Sequence, residues 1–346
     1  KRYQKESEMR PEESERLLNE ELFENTRTRA EELNVQPNEI VPLTGDASTR
    51  RYYRVITDTN SYVSCLGEAN RADNDSDFLN VYNAFENFGV RVPKVYDYNI
   101  KKGYFLQEDL GNTTLLSHIS LLQNEDEIFE IYKKIIDILM QIHTIPADEK
   151  YSWGSLKFDH EKLMYEMNFT KQYFLNSFLK ATLNEKEEKV FNDQFTKMIG
   201  ELVREDMVLC HRDFHSRNIM MKNGEPVVID FQDARQGIAQ YDLVSMLEDC
   251  YFQVSPKNIK KLKKYYMENA SSLTQSKEQF ERLYDLMTIQ RVFKAIGSFS
   301  YINEDREDSR YLKYIGFAME KLRNKLKKYP EYKELFNLIM EKYYES

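Results

Sequence analysis

Cysteine is scarce in this chain: the 346 residues include three, Cys65, Cys210 and Cys250. They are widely separated, one of them must remain unpaired, and no two are spaced as Cys-x-x-Cys. This usage excludes a disulfide framework and favours reduced thiols in a cytoplasmic protein.

Long apolar runs and excess positive charge are also missing. No run approaches the roughly 20 apolar residues that a membrane-spanning helix needs, and the first 24 residues are too charged for a secretory signal. The 58 acidic residues outnumber the 49 basic ones, giving a net charge of -9. Nucleic acid and anionic membranes are therefore not expected as partners.

The composition that is present indicates a globular protein with a sizeable core. Hydrophobic residues make up 41% of the chain and aromatic residues 13%. A chain of this length is too long for one small core and suits two lobes with a cleft between them. We expect a monomer.

Three regions follow one another along the chain. Residues 1–39 are charged and spaced as one or two amphipathic helices, which predicts an N-terminal helical extension. Residues 40–110 predict a small strand-rich lobe with strands at 52–56, 62–66, 95–98 and 104–106 and one helix over 78–88. Residues 111–346 predict a larger helical lobe, with apolar periodicity over 128–142, 163–179, 191–203, 243–252, 283–301 and 311–322. The fold class is therefore α+β.

A short strand-forming island interrupts the helical lobe. Strands are predicted at 208–210, 219–221 and 226–229. The last two are joined by Asn223-Gly224, a strong hairpin signal because both residues tolerate positive φ. The hairpin returns the chain toward the loop that follows the first strand.

The loop and the end of the hairpin carry the candidate chemistry. Asp213 and Asn218 share the loop, and Asp230 ends the last strand, so three oxygen donors are expected to converge. Phosphoryl transfer needs a carboxylate beside the attacking hydroxyl and hard oxygen ligands for the magnesium ion on the nucleotide. Each residue alone is typical of an ordinary turn. Their joint arrangement predicts an ATP- and magnesium-dependent kinase.

A metal-dependent hydrolase is an alternative reading of the same loop. It would place His211, Asp213, His215 and Asp230 around zinc. It leaves Asn218 and the small lobe unexplained.

The loop resembles the catalytic and metal motifs of the aminoglycoside phosphotransferase and choline kinase-like family. The resemblance rests on His211-Arg212-Asp213, on Asn218 and on Asp230-Phe231, and extends over about residues 40–325. The segments 230–234, 241–245 and 290–299 are similar to the branch of anomeric N-acetylmuramate/N-acetylglucosamine kinases.

The resemblance implies a bilobal, protein-kinase-like fold with a small β-rich N-lobe and a larger helical C-lobe. It implies Asp213 as the catalytic carboxylate, with His211 supporting its loop, and Asn218 and Asp230 as magnesium ligands. The expected reaction moves a phosphoryl group from ATP to a hydroxyl of a small sugar. Another small alcohol, such as an aminoglycoside or a choline-like acceptor, remains an alternative.

The nucleotide-binding residues are implied in the same way. A loop carrying Ser48 and Arg50 would cover the phosphates, and Gln107-Glu108-Asp109 would be the interlobe hinge whose backbone contacts adenine. A phosphate-binding lysine is missing from residues 61–69. Either a nearby arginine replaces it, or the protein is a catalytically inactive pseudokinase scaffold.

The substrate residues implied by the resemblance are Glu166, Gln232 and Arg291. Arg291 and Lys294 lie three residues apart on one helix face, where they could meet a phosphate or a lactyl carboxylate, or form part of a surface ion-pair helix. Asp242, at the start of an apolar helix, is predicted to be its N-cap.

Overall fold

The computed structural model describes residues 38–43, 51–66 and 76–345, together with positions 20, 24, 27 and 28. Contacts divide the chain into two compact units. The smaller unit comprises residues up to 76 and Pro93–Gly111, and the larger unit comprises Asp77–Val92 and residues from Asn112 onward. The sequence boundaries had put residues 78–88 in the small lobe, whereas this grouping places them in the larger unit.

The smaller unit contains, within the described residues, a five-stranded antiparallel sheet of order β1-β2-β3-β5-β4. Its strands are β1 (Glu39–Leu43), β2 (Arg51–Ile56), β3 (Ser61–Leu66), β4 (Val95–Asn99) and β5 (Tyr104–Glu108). Alternate residues of β2, Tyr53 and Val55, are buried, as expected for a strand with one face on a core. The predicted strands are therefore present at their predicted positions.

The larger unit is mainly helical. Its helices are α1 (Asp77–Asn87), α2 (Leu115–Ile119), α3 (Glu125–His143), α4 (Ser152–Ser155), α5 (His160–Thr170), α6 (Glu185–Leu202), α7 (Gln240–Leu247), α8 (Pro256–Asn269), α9 (Lys277–Arg306), α10 (Ile315–Leu326) and α11 (Lys333–Tyr344). Helix α1 ends where Gly89 takes a positive φ of 74°. Helix α9 is buried along most of its length and forms the centre of this unit.

Four short strands position the candidate site within the larger unit. Strand β6 (Met207–Cys210) pairs antiparallel with β9 (Arg235–Ile238), and β7 (Ile219–Lys222) pairs with β8 (Glu225–Val228). The turn between β7 and β8 has positive φ at Asn223 (53°) and Gly224 (81°), so the predicted hairpin is confirmed.

Three helix predictions need correction. The segment predicted as one helix over 311–322 is 3-10 helical over Ser309–Tyr314 and α-helical from Ile315. Helix α7 ends at Leu247 rather than continuing to residue 252. The segment predicted as one helix over 163–179 is α-helical to Thr170 and π-helical over Lys171–Phe178. The predicted helical extension, residues 1–39, lies largely outside the described residues.

All three cysteines are buried and free, as predicted. Among the described residues, no helix combines the length and the apolar character needed to cross a membrane.

Candidate active site

The loop after β6 is held in place by hydrogen bonds to Asp242. The two carboxylate oxygens of Asp242 accept hydrogen bonds from the backbone N–H groups of His211 and Arg212, the latter at 3.1 Å. Arg212 has a φ of 85°, in the left-handed region, so the loop turns sharply at this residue. The N-cap of α7 is Ala239, so the prediction that Asp242 caps this helix was wrong.

His211 links the loop to the end of β8. Its ring is buried, and Nε2 donates a hydrogen bond of 2.9 Å to the carbonyl of Ile229. Burial lowers the pKa of His211 and so favours the neutral ring. The negative charges of Asp230 and Asp213 raise this pKa, but burial has the larger effect. Its contacts are those of a support for the loop.

Asp213 lies among positive charges. Lys294 Nζ is 3.4 Å from Oδ1 of Asp213, and Arg212 Nε is 3.8 Å from Oδ2. Burial alone would raise the pKa of this carboxyl, but Lys294, Arg212 and Arg291 outweigh it and hold the pKa well below its usual range. Asp213 is therefore a stable anion and a weak base.

Asn218 connects Asp213 with Asp230. Its Nδ2 donates to the backbone carbonyl of Asp213 at 2.9 Å and lies 3.5 Å from Oδ2 of Asp230. Asp230 has a φ of 62°, in the left-handed region, and it is exposed. The structure thus brings the three predicted residues together although they are separated by up to 17 positions.

The oxygens of Asn218 and Asp230 fit a magnesium ion. They are hard donors that leave most of the coordination sphere to water and phosphate, as magnesium prefers. Gln232 lies beside them, donating from Nε2 to Oδ1 of Asp230 at 2.9 Å. Gln232 therefore orients the carboxylate, and its predicted contact with substrate remains a prediction.

Phe231, which follows Asp230, is fully buried beneath α1. Its ring stacks on Phe78 at 5.1 Å between centroids and contacts Phe85 at 5.4 Å. Helix α1 therefore supports the segment that presents Asp230.

A cavity of about 150 Å³ opens beside Asp213. It is lined by charged and aromatic groups, including Asp213, His215, Tyr251, Arg291, Lys294 and Phe299. Asp249 also contributes, but its carboxylate accepts the N–H groups of Ser216 at 3.0 Å and Tyr251 at 2.7 Å. The cavity therefore places two cations, Arg291 and Lys294, and three carboxylates, Asp213, Glu248 and Asp249, beside aromatic rings.

Arg291 and Glu166 are buried polar residues near this cavity. Arg291 is 8% exposed, donates from Nη1 to Tyr241 Oη at 2.9 Å, and has no acceptor for Nε–H among the described residues. Glu166 is 4% exposed and accepts from Gln290 Nε2 at 2.8 Å. The alternative of a surface ion-pair helix at Arg291 and Lys294 is wrong, because Arg291 is buried and the Lys294 side chain is only 18% exposed.

The predicted nucleotide-binding residues lie in the smaller unit or outside the described residues. Ser48 and Arg50 are outside them. Asp109 accepts two hydrogen bonds from Arg54, at 2.7 and 3.0 Å, and Glu108 accepts from the backbone N–H of Lys94 at 3.2 Å. Gln107 is buried on β5. The adenine contact of this segment remains a prediction.

The role of Asp242 and the contact between Lys294 and Asp213 were not predicted from the sequence. Asp242 lies in the first turn of a helix whose residues are all buried. A carboxylate within an apolar helical segment was the sequence signal that could have indicated its role. Lys294 was identified from the sequence, but no local pattern indicated that it would lie next to Asp213, 81 positions away.

The chain matches the profile of the phosphotransferase enzyme family over residues 39–269. N-acetylmuramate/N-acetylglucosamine kinase of Neisseria meningitidis serogroup B is 28% identical over 301 residues, covering 86% of this chain and 88% of that protein. The enzyme of the same name from Pseudomonas aeruginosa is 28% identical over 310 residues, covering 88% and 89%.

Solved structures agree in fold. The gentamicin complex of APH(2")-IIa has a TM-score of 0.61 at 17% identity, covering 87% of this chain and 95% of that chain. Choline kinase LicA from Streptococcus pneumoniae has a TM-score of 0.59 at 16% identity, covering 88% and 99%. This likeness confirms the predicted kinase-like α+β fold.

Proposed function

The chain belongs to the phosphotransferase enzyme family, and on that basis we propose that it transfers the γ-phosphoryl group of ATP to a hydroxyl of an N-acetylated amino sugar. The anomeric hydroxyl of N-acetylmuramate or N-acetylglucosamine is the first candidate acceptor, because the similar kinases named for these sugars align over 86–89% of each chain. A small-molecule kinase leaves no role for zinc at His211 and His215.

The observation that carries the proposal is the hydrogen bonding of Asn218. One side-chain amide contacts the backbone of the candidate catalytic residue, Asp213, and the carboxylate of Asp230. A magnesium ion held by Asn218 and Asp230 would supply positive charge to the phosphate oxygens. Such an arrangement suits phosphoryl transfer, in which positioning and electrostatics dominate.

Asp213 would orient the acceptor rather than deprotonate it in advance. Its low pKa makes it a weak base, and a loose transition state requires little early proton removal. The acceptor oxygen forms a bond to the γ-phosphorus, the bond to the bridging oxygen of ADP breaks, and the hydroxyl proton passes to the carboxylate as the oxygen becomes acidic. Lys294, close to Asp213, would keep the carboxylate ionised until then.

The cavity beside Asp213 offers groups that suit N-acetylglucosamine or N-acetylmuramate. Its aromatic side chains could pack on the apolar face of a sugar ring. The buried Nε–H of Arg291, which lacks an acceptor within the described part of the chain, could bind the lactyl carboxylate of N-acetylmuramate.

A cationic aminoglycoside or choline-like acceptor would meet carboxylates that already have partners. The carboxylates that could receive it are already bonded: Asp249 accepts backbone N–H groups, and Glu248 lies 3.5 Å from Lys321 and 3.4 Å from Lys325. Arg291 and Lys294 would repel it.

The test is an ATP-consumption screen over neutral, anionic and cationic sugars and choline. We expect ADP release stimulated by N-acetylglucosamine or N-acetylmuramate and reduced about 10²- to 10⁴-fold in Asp213→Asn. Asp193→Asn, at an exposed helix position, is the matched control and should retain activity. A correctly folded protein with no acceptor-stimulated release would support the pseudokinase alternative and contradict the proposal.

A further inference from the structure

A second cavity of about 310 Å³ lies elsewhere in the larger unit, between α1 and the segment 145–153. Its walls include Asn80, Asn83, Asn87, Asp148, Tyr151 and Trp153. Its volume is at the lower end of the range for small-molecule sites. None of these residues belongs to the candidate active site.

The three asparagines place amides on one face of α1. They are spaced by three and four residues and so share a helix face, while Phe78 and Phe85 contact Phe231. Asparagine is a poor helix former, so three of them on one helix are not explained by helix propensity. The exposed amides of Asn83 and Asn87 offer both donors and acceptors to a ligand.

Trp153 supplies a buried donor without a partner. It is 4% exposed, and its Nε1–H has no acceptor among the described residues. Such a group normally has one, because an unsatisfied buried donor is destabilising. The Trp153 ring also stacks on Tyr151, with centroids 5.9 Å apart and planes 15° apart.

The segment carrying these rings is firmly held. Gln236 Nε2 donates to the carbonyl of Trp153 at 3.1 Å, and the hydroxyl of Ser152 bonds to Asp77 at the start of α1. A Cβ at Gly154 would lie 2.0 Å from the carbonyl oxygen of Asp148, so glycine permits the close approach of the chain there. The cavity is thus formed by fixed elements.

The charge of the cavity limits its ligand. Among the described lining residues, Asp148 is the one charged side chain. It disfavours phosphates and carboxylates, while the amides and the indole N–H suit hydroxyl and acetamido groups. The aromatic pair suits the apolar face of a sugar ring.

We propose that this cavity is a non-catalytic binding site for a neutral saccharide, preferentially one with an N-acetyl group. The acceptor of the Trp153 N–H is then a carbonyl or hydroxyl oxygen of the sugar, and the amides of Asn83 and Asn87 bind its remaining polar groups. The binding claim does not depend on the proposed kinase activity, since it needs neither nucleotide nor turnover.

Trp153 is the single tryptophan of the chain, so it reports on the cavity directly. In the ¹⁵N-labelled full chain without nucleotide, titration with N-acetylglucosamine should give a saturable shift of the one indole N–H resonance. N-acetylglucosamine 6-phosphate should bind at least severalfold more weakly. Tryptophan fluorescence gives a second reading of the same site.

Variants separate this cavity from the one beside Asp213. The double substitution Asn83→Ala and Asn87→Ala, at exposed positions, should weaken binding roughly tenfold and leave sugar phosphorylation unchanged. Asn192→Ala, an exposed helical asparagine, is the matched control. Ser298→Leu, which fills the other cavity, should leave the indole shift intact.

The proposal is overturned if the indole resonance shows no saturable shift with the neutral sugar. It is also overturned if Ser298→Leu abolishes the shift while the double variant retains it, because the sugar would then bind beside Asp213. A protein that binds the sugar here but phosphorylates none would leave this site standing and contradict the proposed function.

Discussion

Replacement of Asp242 by asparagine tests the buried carboxylate that holds the loop carrying Asp213. Burial raises the pKa of Asp242 from 3.8 to about 7, against the hydrogen bonds from His211 and Arg212. Asparagine has the same shape but no charge. It can offer one oxygen to the two N–H groups where the carboxylate offers two.

The magnitude follows from the pKa shift. A folded-state pKa raised by about three units corresponds to about 4 kcal/mol. Between the unfolded and folded pKa values the native state binds more protons, so this group makes the free energy of unfolding fall as pH rises from about 4 to about 7. The asparagine variant lacks this fall.

The assay is urea unfolding of both proteins from pH 4.5 to 8, followed by tryptophan fluorescence. The stability of Asp242→Asn relative to the original protein should increase by about 3 to 4 kcal/mol across this range. Carboxylates with lowered pKa values, such as Asp285, cancel in the comparison because both proteins contain them. A constant difference for Asp242→Asn would refute the reasoning.

Three further variants test other contacts. Lys294→Met should lower kcat about 10- to 100-fold, because it removes a cation 3.4 Å from the carboxylate of Asp213. Lys294→Arg should restore part of the rate, and an unchanged rate of Lys294→Met in steady-state kinetics would contradict this. Asn218→Ala should raise the magnesium concentration needed for half-maximal turnover about 10-fold or more, and an unchanged magnesium titration would remove this residue from the metal site. Gly297→Ala should destabilise the fold by at least about 1 to 3 kcal/mol, because the added Cβ would lie 2.3 Å from Oγ1 of Thr170. Gly200→Ala has open space around the added Cβ and should be neutral or stabilising. Thermal unfolding of both variants measures the difference.

The local chemistry of the sequence was enough to predict the strands and the hairpin. Alternation in β2 and the Asn223-Gly224 pair are signals carried by neighbouring residues, and the structure has both elements where they were expected. The end of α7 was predicted five residues too late, because Cys250, Tyr251 and Phe252 extend the apolar periodicity after the helix has ended.

The candidate site was partly predictable for the same reason. Asp213 and Asn218 share one loop, and the hairpin returns Asp230 to it, so their proximity follows from short-range signals. Lys294 and Asp242 reach the loop from distant helices, and such contacts depend on tertiary packing that local patterns do not encode. The buried environment of Arg291 was likewise set by packing around α9.

The central claim is that Asn218 and Asp230 hold the divalent ion beside Asp213. The most direct measurement is the anomalous scattering of manganese in crystals grown with a non-hydrolysable ATP analogue and N-acetylglucosamine. We expect one manganese peak within bonding distance of the Asn218 and Asp230 oxygens, with a sugar hydroxyl near Asp213. A peak away from both side chains, with the triphosphate bound, would contradict it.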